Sequence, residues 1–145
     1  MADALILGAS GGIGAALAAR LEGQGWAVTG LSRSRDGLDL TRADTVADHA
    51  ARLAGRSFDL ILNTTGALVV DGHQPEKTMD AVDPDAMAAQ FALNATGVAL
   101  AIRHFGPLLA RDRRAVLGSL SARVGSIGDN DLGGGGAYRA EIGRA

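Results

Sequence analysis

The stretch Gly8-Ala9-Ser10-Gly11-Gly12-Ile13-Gly14 decides the fold of this chain because of what lies on either side of it. The apolar run Ala4-Leu5-Ile6-Leu7 before it is typical of a buried parallel strand. After it, apolar residues recur at every fourth position from Ile13 to Leu21, which predicts a helix. A helix N-terminus presents unpaired N–H groups and the positive end of the helix dipole. The order of strand, glycine turn and helix therefore predicts a turn that binds phosphate.

The glycines of this turn are expected to have different tasks. Gly8 is predicted to make the turn, Gly12 to let the backbone approach a pyrophosphate, and Gly14 to let the helix pack closely on the strand. Because Gly11 is also present, the spacings G-x-x-x-G-x-G and G-x-x-G-x-x-G fit equally well, and spacing does not choose between them. The stretch lacks Gly-Lys-Ser/Thr, which excludes a P-loop. A glycine-rich turn without a ligand is the alternative.

Strands and helices alternate along the rest of the chain. The predicted strands are Ala4–Leu7, Trp26–Leu31, Leu38–Leu40, Phe58–Leu62 and one that begins at Ala115. Thr41 and Asp44 resemble a capping box that opens a helix, and Asp83-Pro84 opens another that runs to about Arg111. This pattern predicts an α/β fold, a Rossmann-type doubly wound parallel sheet, in one domain over residues 1–145.

Composition narrows the classes of function. The chain has 145 residues, a net charge of −2 and no basic run, so a nucleic-acid partner is not expected. It has no cysteine, which excludes disulfides and thiolate metal sites, and no metal is expected. Neither a secretion signal nor an apolar run of membrane-spanning length is seen in the sequence, so we expect a cytoplasmic protein without a membrane partner.

The glycine turn, the segment Asn63-Thr64-Thr65-Gly66 and Asn94 together resemble the short-chain dehydrogenase/reductase family. The family usually has Thr in the place of Leu7, and its Asn-Asn-Ala-Gly motif matches only at the outer residues of the segment. The resemblance implies an NAD(P)-dependent oxidoreductase that acts on a small carbonyl or alcohol substrate, with a homo-oligomer as a further expectation. The cofactor-binding residues that it implies are Gly8, Ser10, Gly11, Gly12, Ile13, Gly14, Arg33, Asp39, Leu40, Asn63, Thr64, Thr65 and Gly66.

The end of the second predicted strand bears on the choice of dinucleotide. In the family, an acidic residue there favours NAD, and a basic residue pairs with the 2′-phosphate of NADP. The stretch Leu31-Ser32-Arg33-Ser34-Arg35 has no carboxylate, so NADP is favoured over NAD, with Arg33 as the phosphate contact. Ser32 or Ser34 is expected to add a hydroxyl. Two solvated loop arginines are the alternative. The pair Asp39-Leu40 resembles the family's adenine contact.

Asn94 is a polar residue on an apolar stripe that runs from Met87 to Phe105. A buried amide costs free energy, on the order of 1–3 kcal/mol, for each group left without a partner. The match to Asn94-x-x-Gly97 implies that this residue orders a water beside a catalytic lysine, and Asn94 is therefore a candidate catalytic residue. A satisfied core amide or a helix kink is the alternative.

The segments Ser121–Ile127 and Tyr138-Arg139-Ala140 are similar to the C-factor-like reductases, a branch of this family. The family uses a tyrosine as acid, a serine on the same oxygen, and a lysine four residues after the tyrosine. A phenol near its free pKa of about 10 is a slow acid–base at neutral pH, which is why the cation matters. Tyr138 is the catalytic tyrosine implied here, but Ile142 stands in the lysine place and the only lysine is Lys77.

The serine implied by the resemblance is less regular. The family usually reads Ser-Ser-x-x-Gly with the second serine catalytic, whereas here Ser121 is the first and Ala122 takes the second place. Ser121 is the candidate, Ser126 is a substitute, and a strand-end hydroxyl that only caps the backbone is the alternative for either.

Two functions therefore stay open: hydride transfer between NADPH and a carbonyl or alcohol, or an inactive remnant that binds dinucleotide without turnover. Members of the family are longer than this chain, and residues 141–145 do not resemble the family's sequence after its tyrosine. We therefore expect a fold that is incomplete at its C-terminal side, with a short unrelated tail. An exposed edge at the last strand, and with it a tendency to associate, is the physical expectation.

Overall fold

The computed structural model describes residues 1–126 and 134–142. Within these residues the sheet has four parallel strands in the order β2-β1-β3-β4. The strands are β1 (Asp3–Leu7), β2 (Ala27–Leu31), β3 (Leu60–Asn63) and β4 (Val116–Ser119). The helices are α1 (Gly12–Gly23), α2 (Arg33–Asp36), α3 (Ala43–Arg52), α4 (Pro84–Phe91), α5 (Gly97–Phe105) and α6 (Gly136–Ile142). The predicted Rossmann-type α/β fold is confirmed.

Strand β1 forms the centre of the sheet, with β2 on one side and β3 on the other. Leu5 lies opposite Thr29 of β2 and Ile61 of β3. The apolar run that begins at Ala4 is buried, as the sequence predicts for a central parallel strand. The side chains packed around it form one core, which includes Leu5, Leu7, Leu38, Leu40, Val46, Phe58, Ile61, Ala101 and Phe105.

The long helical segment from Pro84 to Leu108 joins α4, a π-helical turn at Ala92–Thr96, α5 and a 3₁₀ turn. It begins as predicted: Pro84 is the first helical residue, and the Asp83 side chain accepts a hydrogen bond from the Asp85 N–H. It ends at Leu108, three residues before the predicted end at about Arg111. By length and apolar composition alone it is long enough to cross a membrane, contrary to the sequence-based expectation. The same segment supplies core contacts through Ala101 and Phe105, so it is weak evidence for a membrane span.

Two local predictions are wrong. Leu38–Leu40 is not a strand but a connection between α2 and α3. Its two leucines are buried in the core, which explains why apolar residues stand there. The capping box does not form either, because α3 begins after Arg42 without a side-chain cap. The hydroxyl of Thr41 instead donates to Oδ1 of Asp39 at 2.7 Å, and Asp44 pairs with the Arg42 guanidinium.

Strand β4 is at an edge of the described sheet, and its first residue, Val116, is 47% exposed. Ile127, at the end of the C-factor-like stretch, lies outside the described residues. The predicted tail over residues 141–145 also lies outside them, except that α6 includes the backbone of residues 141 and 142. The carboxyl ends of all four parallel strands meet at one edge of the sheet, where α1 and α2 begin.

Candidate dinucleotide site

The glycine turn connects β1 to α1 at the carboxyl edge of the sheet. Gly8 has φ of +89°, and a Cβ there would lie 2.8 Å from the Thr64 hydroxyl oxygen. A Cβ on Gly14 would lie 2.2 Å from the carbonyl oxygen of Gly8, closer than any side chain tolerates. A Cβ on Gly12 would meet nothing within 4 Å. Gly8 and Gly14 are therefore required by the protein itself, whereas the space above Gly12 is open to a ligand.

The N-terminus of α1 suits an anion. Gly11 is the residue before the helix, and within the described part of the chain no side chain caps the N–H groups of the first turn. That turn has no acidic residue, so no fixed negative charge opposes the positive end of the dipole. Of the two middle glycines, Gly11 and Gly12, only Gly11 lines the cavity between this turn, α2 and the loop after β3. Packing excludes neither G-x-x-x-G-x-G nor G-x-x-G-x-x-G.

The last residue of β3 and the segment after it fix the surroundings of the glycine turn. The hydroxyl of Thr64 donates to the carbonyl of Leu7 at 2.8 Å. Asn63 is buried, and its amide donates to the Ser119 hydroxyl at 3.1 Å, while its oxygen accepts from the hydroxyl of Thr65 at 2.6 Å. Asn63 therefore joins the ends of β3 and β4 rather than lining a cavity.

A cavity of about 540 Å³ lies between the glycine turn, α2 and the loop after β3. Nine of the thirteen predicted cofactor residues line it, namely Gly8, Ser10, Gly11, Arg33, Asp39, Leu40, Thr64, Thr65 and Gly66. The other four, Gly12, Ile13, Gly14 and Asn63, do not. The hydroxyl of Ser34 donates to the Ser10 hydroxyl at 3.1 Å, which joins α2 to the glycine turn. Arg35 lines a different cavity, against α1. The structure thus separates Arg33 from its neighbouring arginine.

The two serines beside Arg33 have different surroundings. Ser32 is 2% exposed, and its N–H donates to the Asp36 carboxylate at 2.7 Å. Its hydroxyl also accepts the N–H of Arg35, so Ser32 caps α2. Ser34, by contrast, is exposed beside the cavity. Both serines line the cavity, but the Ser32 hydroxyl is engaged by Arg35 and Asp36, whereas the Ser34 hydroxyl is exposed.

Two carboxylates, Asp39 and Asp71, line this cavity together with Arg33. Partial burial raises the pKa of the Asp39 carboxyl group. Hydrogen bonds from Thr41 and the positive charges of Arg33 and Arg42 together lower this pKa by more than burial raises it. The net pKa is below the usual value of 3.8, so the group is ionised at neutral pH. The cavity is therefore lined by the positive charge of Arg33 and by the negative charge of Asp39, and these two charges interact.

Asn94 lies in the π-helical turn and is 2% exposed. Its Oδ1 accepts the Ala67 N–H at 3.0 Å, and its Nδ2 donates to the Ala67 carbonyl at 3.0 Å and to Oε1 of Gln90 at 2.7 Å. The side chain is a satisfied core amide that fixes the loop after β3. π-Helical turns are frequent at functional sites, and this one places Asn94 opposite Gly66 and Ala67.

A smaller cavity of about 210 Å³ continues from the same loop. It is lined by all three predicted catalytic residues, Asn94, Ser121 and Tyr138, and by Ile13. Ile13 is 60% exposed, an apolar side chain turned to this side of the glycine turn. Thr64–Ala67 borders both cavities, which together are called the groove.

Ser126, the substitute for the catalytic serine, and Lys77, the only lysine, lie in different places relative to Tyr138. Ser126 lines a different cavity, which Tyr138 does not border. Lys77 lies far from Tyr138 in sequence, yet both line a cavity of about 890 Å³. Residue 142 falls one helical turn after Tyr138 in α6, and it is an isoleucine.

Sequence reasoning missed Gln90 and His49. Gln90 is 4% exposed, and its amide donates to the Leu68 carbonyl at 2.8 Å. A signal for Gln90 was present, because it stands one helical turn before Asn94 on the same face. His49 is 7% exposed and contacts the end of α2; no signal in the sequence indicated it. Among residues 1–126 and 134–142, no group of three or more acidic or histidine side chains forms a metal site.

These features define a Rossmann-type α/β protein with a candidate dinucleotide site, and comparison with known proteins gives its family. The family model "NAD dependent epimerase/dehydratase family" matches residues 4–104. A curated relative, the 1-hydroxy-2-glutathionyl-2-methyl-3-butene dehydrogenase of Rhodococcus sp. (strain AD45), is 29% identical over 154 aligned positions. The alignment covers 96% of this chain and 64% of the relative, so the chain spans less than two thirds of that protein's length.

Solved structures of short-chain dehydrogenases have a similar fold. A structure described as a short-chain alcohol dehydrogenase from Burkholderia multivorans has a TM-score of 0.86 at 28% identity, over 99% of this chain and 72% of that one. Another from the same organism, a short-chain dehydrogenase/reductase with bound NADP, has a TM-score of 0.80 at 24% identity, over 98% and 68%. The chain belongs to the NAD dependent epimerase/dehydratase family, one of the short-chain dehydrogenase/reductase proteins.

Proposed function

We propose that this chain binds NADPH and takes part in hydride transfer between NADPH and a small carbonyl or alcohol substrate. One observation carries the proposal: Arg33 and Ser34 stand at the end of β2 beside the 540 Å³ cavity, next to an uncapped helix N-terminus. A guanidinium and hydroxyls together suit the 2′-phosphate that distinguishes NADPH from NADH.

The residues present fit the dinucleotide. The open space above Gly12 accommodates a pyrophosphate, and the first-turn N–H groups of α1 are free of side-chain caps. Asp39 is ionised and borders the adenosine side of the cavity, where its carboxylate suits an adenine amino group. Ile13 offers an apolar surface to a nicotinamide ring.

NADPH, when bound, supplies the hydride. In this proposal Tyr138 holds the proton that a developing alkoxide needs, and Ser121 donates to the same oxygen. Asn94 keeps the loop that separates the two cavities in place through its bonds to Ala67. The alcohol side of the proposal is supported by the name of the Rhodococcus relative, which describes it as a dehydrogenase of a 1-hydroxy compound.

A second function, dinucleotide binding without turnover, is favoured by one observation. The residue four positions after Tyr138 in α6 is Ile142, so the helix offers no ammonium group there. In the family mechanism an ammonium group at that place lowers the pKa of the phenol from its free value of about 10. Lys77 borders a cavity with Tyr138 and is the one lysine able to supply the charge.

Isothermal titration with NADPH and NADH tests the cofactor. We expect tighter binding of NADPH, and a loss of about 10- to 100-fold in NADPH affinity for Arg33→Ala, the scale of a charge-assisted contact. Arg35→Ala is the matched control, because Arg35 lies against α1, and it should change the affinity less than about threefold. Equal affinities for NADPH and NADH would contradict the proposal.

Turnover of a panel of aldehydes, ketones and alcohols separates the two functions. Turnover that Lys77→Met abolishes supports hydride transfer with Lys77 as the cation. Binding without turnover supports the second function, and in that case Ile142→Lys is expected to introduce activity, since it adds the ammonium one helical turn from Tyr138. The cytoplasmic location, the homo-oligomer and the absence of nucleic-acid and membrane partners stay predictions.

A further inference from the structure

His49 is a buried side chain that joins α3 to α2, the helix that brings Arg33 and Ser34 to the candidate dinucleotide site. It belongs to α3 and is 7% exposed. Its Nδ1 lies 2.8 Å from the carbonyl oxygen of Thr45, one turn earlier in the same helix. Its Nε2 lies 2.8 Å from the carbonyl oxygen of Asp36, the last residue of α2. The imidazole therefore bridges the helix that carries Arg33 and the helix that packs on the core.

The two carbonyl oxygens that His49 contacts differ in the other hydrogen bonds that they accept. Both ring nitrogens face carbonyl oxygens, which only accept hydrogen bonds, so each contact is favourable only where that nitrogen has a hydrogen. The Thr45 carbonyl lies inside α3, where the helical pattern already gives it a backbone donor. The Asp36 carbonyl ends its helix, and within residues 1–126 and 134–142 no backbone N–H donates to it. The contact from Nε2 is therefore the one on which the Asp36 carbonyl depends, and it is favourable only where Nε2 donates.

Helix α2 depends on contacts of this kind. It spans only Arg33–Asp36, and a single helical turn is not stable by itself. Ser32 caps its first turn, and Gly37, with φ of +75°, closes its last. His49 is the contact from outside that fixes the end of this turn against the domain. The position of Arg33 and of the Ser34–Ser10 contact depends on all three.

We infer that His49 is a positioning residue for recognition of the 2′-phosphate, an inference that rests on the proposed binding of NADPH. His49 does not line the cavity and acts through α2. Loss of the donor leaves the Asp36 carbonyl without a partner and releases Arg33 from its position. The affinity for NADPH then falls. The affinity for NADH does not, because NADH has no 2′-phosphate for Arg33 to bind.

Two conservative variants separate the ring nitrogens. His49→Gln places an amide N–H near the position of Nε2, and His49→Asn places one near Nδ1. We expect His49→Asn to weaken NADPH binding about tenfold, the scale of one hydrogen bond, and His49→Gln to stay within about threefold of the parent chain. NADH affinity should change less than about twofold in both. Isothermal titration measures all four values, and circular dichroism shows that each variant is folded.

An equal loss for NADPH and NADH, or no loss in His49→Asn, overturns the inference. If the parent chain prefers NADPH and Arg33→Ala removes the preference while His49→Asn does not, the role of His49 fails and the proposed function stands. If the parent chain shows no preference, both fail. A wild-type measurement is independent of how the variants fold: ¹H–¹⁵N correlation of the His49 ring should show a hydrogen on Nε2. A ring with a hydrogen on Nδ1 alone contradicts the inference.

Discussion

Gly12 and Gly14 are two residues apart, yet a methyl group on each would meet different surroundings. On Gly14 it would lie 2.2 Å from the Gly8 carbonyl oxygen, and on Gly12 it would meet no protein atom within 4 Å. We expect Gly14→Ala to lower the free energy of unfolding by about 2–3 kcal/mol or more through overpacking. Gly12→Ala should keep that free energy and weaken NADPH binding at least about tenfold, because the Cβ occupies the path of the pyrophosphate.

Urea denaturation and isothermal titration on this pair of variants check both expectations. Each variant is the control for the other, since one tests packing and the other tests access. A Gly12→Ala protein that binds NADPH like the parent chain would mean that the phosphates do not approach this glycine. A Gly14→Ala protein of unchanged stability would mean that α1 moves away from β1 at little cost.

Side chains whose partners are near in sequence were the predictable ones. Asp83 capping α4 needs only local spacing, and the order of strand, glycine turn and helix indicates the turn. The partner of His49 lies 13 residues away, and that of Gln90 lies 22 residues away. Both pairings form only after the sheet has brought distant loops together. Periodicity gives the buried face of a helix, but it does not give the carbonyl that a polar residue on that face will meet.

The element that joins α4 to α5 is a π-helical turn, and Asn94 holds it to the loop after β3. Asn94→Ala removes a donor and an acceptor from the partly buried Ala67 backbone and a partner from Gln90. At roughly 1–3 kcal/mol for each unmet buried group, reduced by partial solvation, we expect a loss of about 2–3 kcal/mol in urea unfolding. Thr96→Ala, an exposed change in the same turn, should cost less than about 0.5 kcal/mol. A loss below about 1 kcal/mol for Asn94→Ala would show that water replaces the amide.

A second prediction concerns how the elements meet at the amino edge of the sheet. Asp59, next to β3, accepts the backbone N–H of Asp3 at 2.8 Å and the Nε–H of Arg113, which precedes β4. The Arg113 hydrogen bond is the main cause that lowers the pKa of Asp59 below its usual 3.8. The folded state therefore binds this proton less readily than the unfolded chain does. The stabilising contribution is complete above pH 3.8 and is lost as the pH falls below it, through the folded pKa.

Urea midpoints at about pH 5, 4 and 3, on either side of that value, measure the effect. The midpoint of the parent chain should fall with pH more steeply than that of Asp59→Asn, which has no proton to gain. Asp112→Asn is the control, since that carboxylate also pairs with Arg113 but is 80% exposed. Parallel pH profiles for the parent chain and Asp59→Asn would exclude Asp59 as the source.

The elements that sequence analysis misplaced share one cause. Leu38-Asp39-Leu40 alternates apolar and polar residues as a short strand does, but its two leucines are apolar because they fill the core from an irregular connection. Thr41 has the spacing of a cap, but the carboxylate of Asp39 is nearer and takes its hydroxyl. In both places a tertiary or competing local contact decided the outcome, which composition and spacing do not include.

At the scale of the whole molecule, the cavity of about 540 Å³, where we propose that adenosine binds, is lined by residues before α4 apart from Leu93. The cavity of about 210 Å³, where we propose that catalysis occurs, is also lined by Asn94, Ser121 and Tyr138. Ligand that binds only the folded state stabilises the whole chain by about 2.7 kcal/mol at a concentration 100 times its Kd. The adenosine half of the cofactor should therefore raise the melting temperature without help from the catalytic end. Adenosine 2′,5′-bisphosphate should do so more than 5′-AMP at equal concentration, because the two differ only in the 2′-phosphate that Arg33 is proposed to bind.

Differential scanning fluorimetry of the 145-residue chain measures this difference. For a chain of this size each kcal/mol corresponds to roughly 2–4 °C, so a several-degree advantage of the bisphosphate is expected. The advantage should vanish in Arg33→Ala and persist in Tyr138→Phe, because only the first change touches the adenosine side of the groove. If both ligands shift the melting temperature equally, the 2′-phosphate is not recognised. If Tyr138→Phe also removes the advantage, the two cavities are not independent, and the groove binds the dinucleotide only as one cooperative unit.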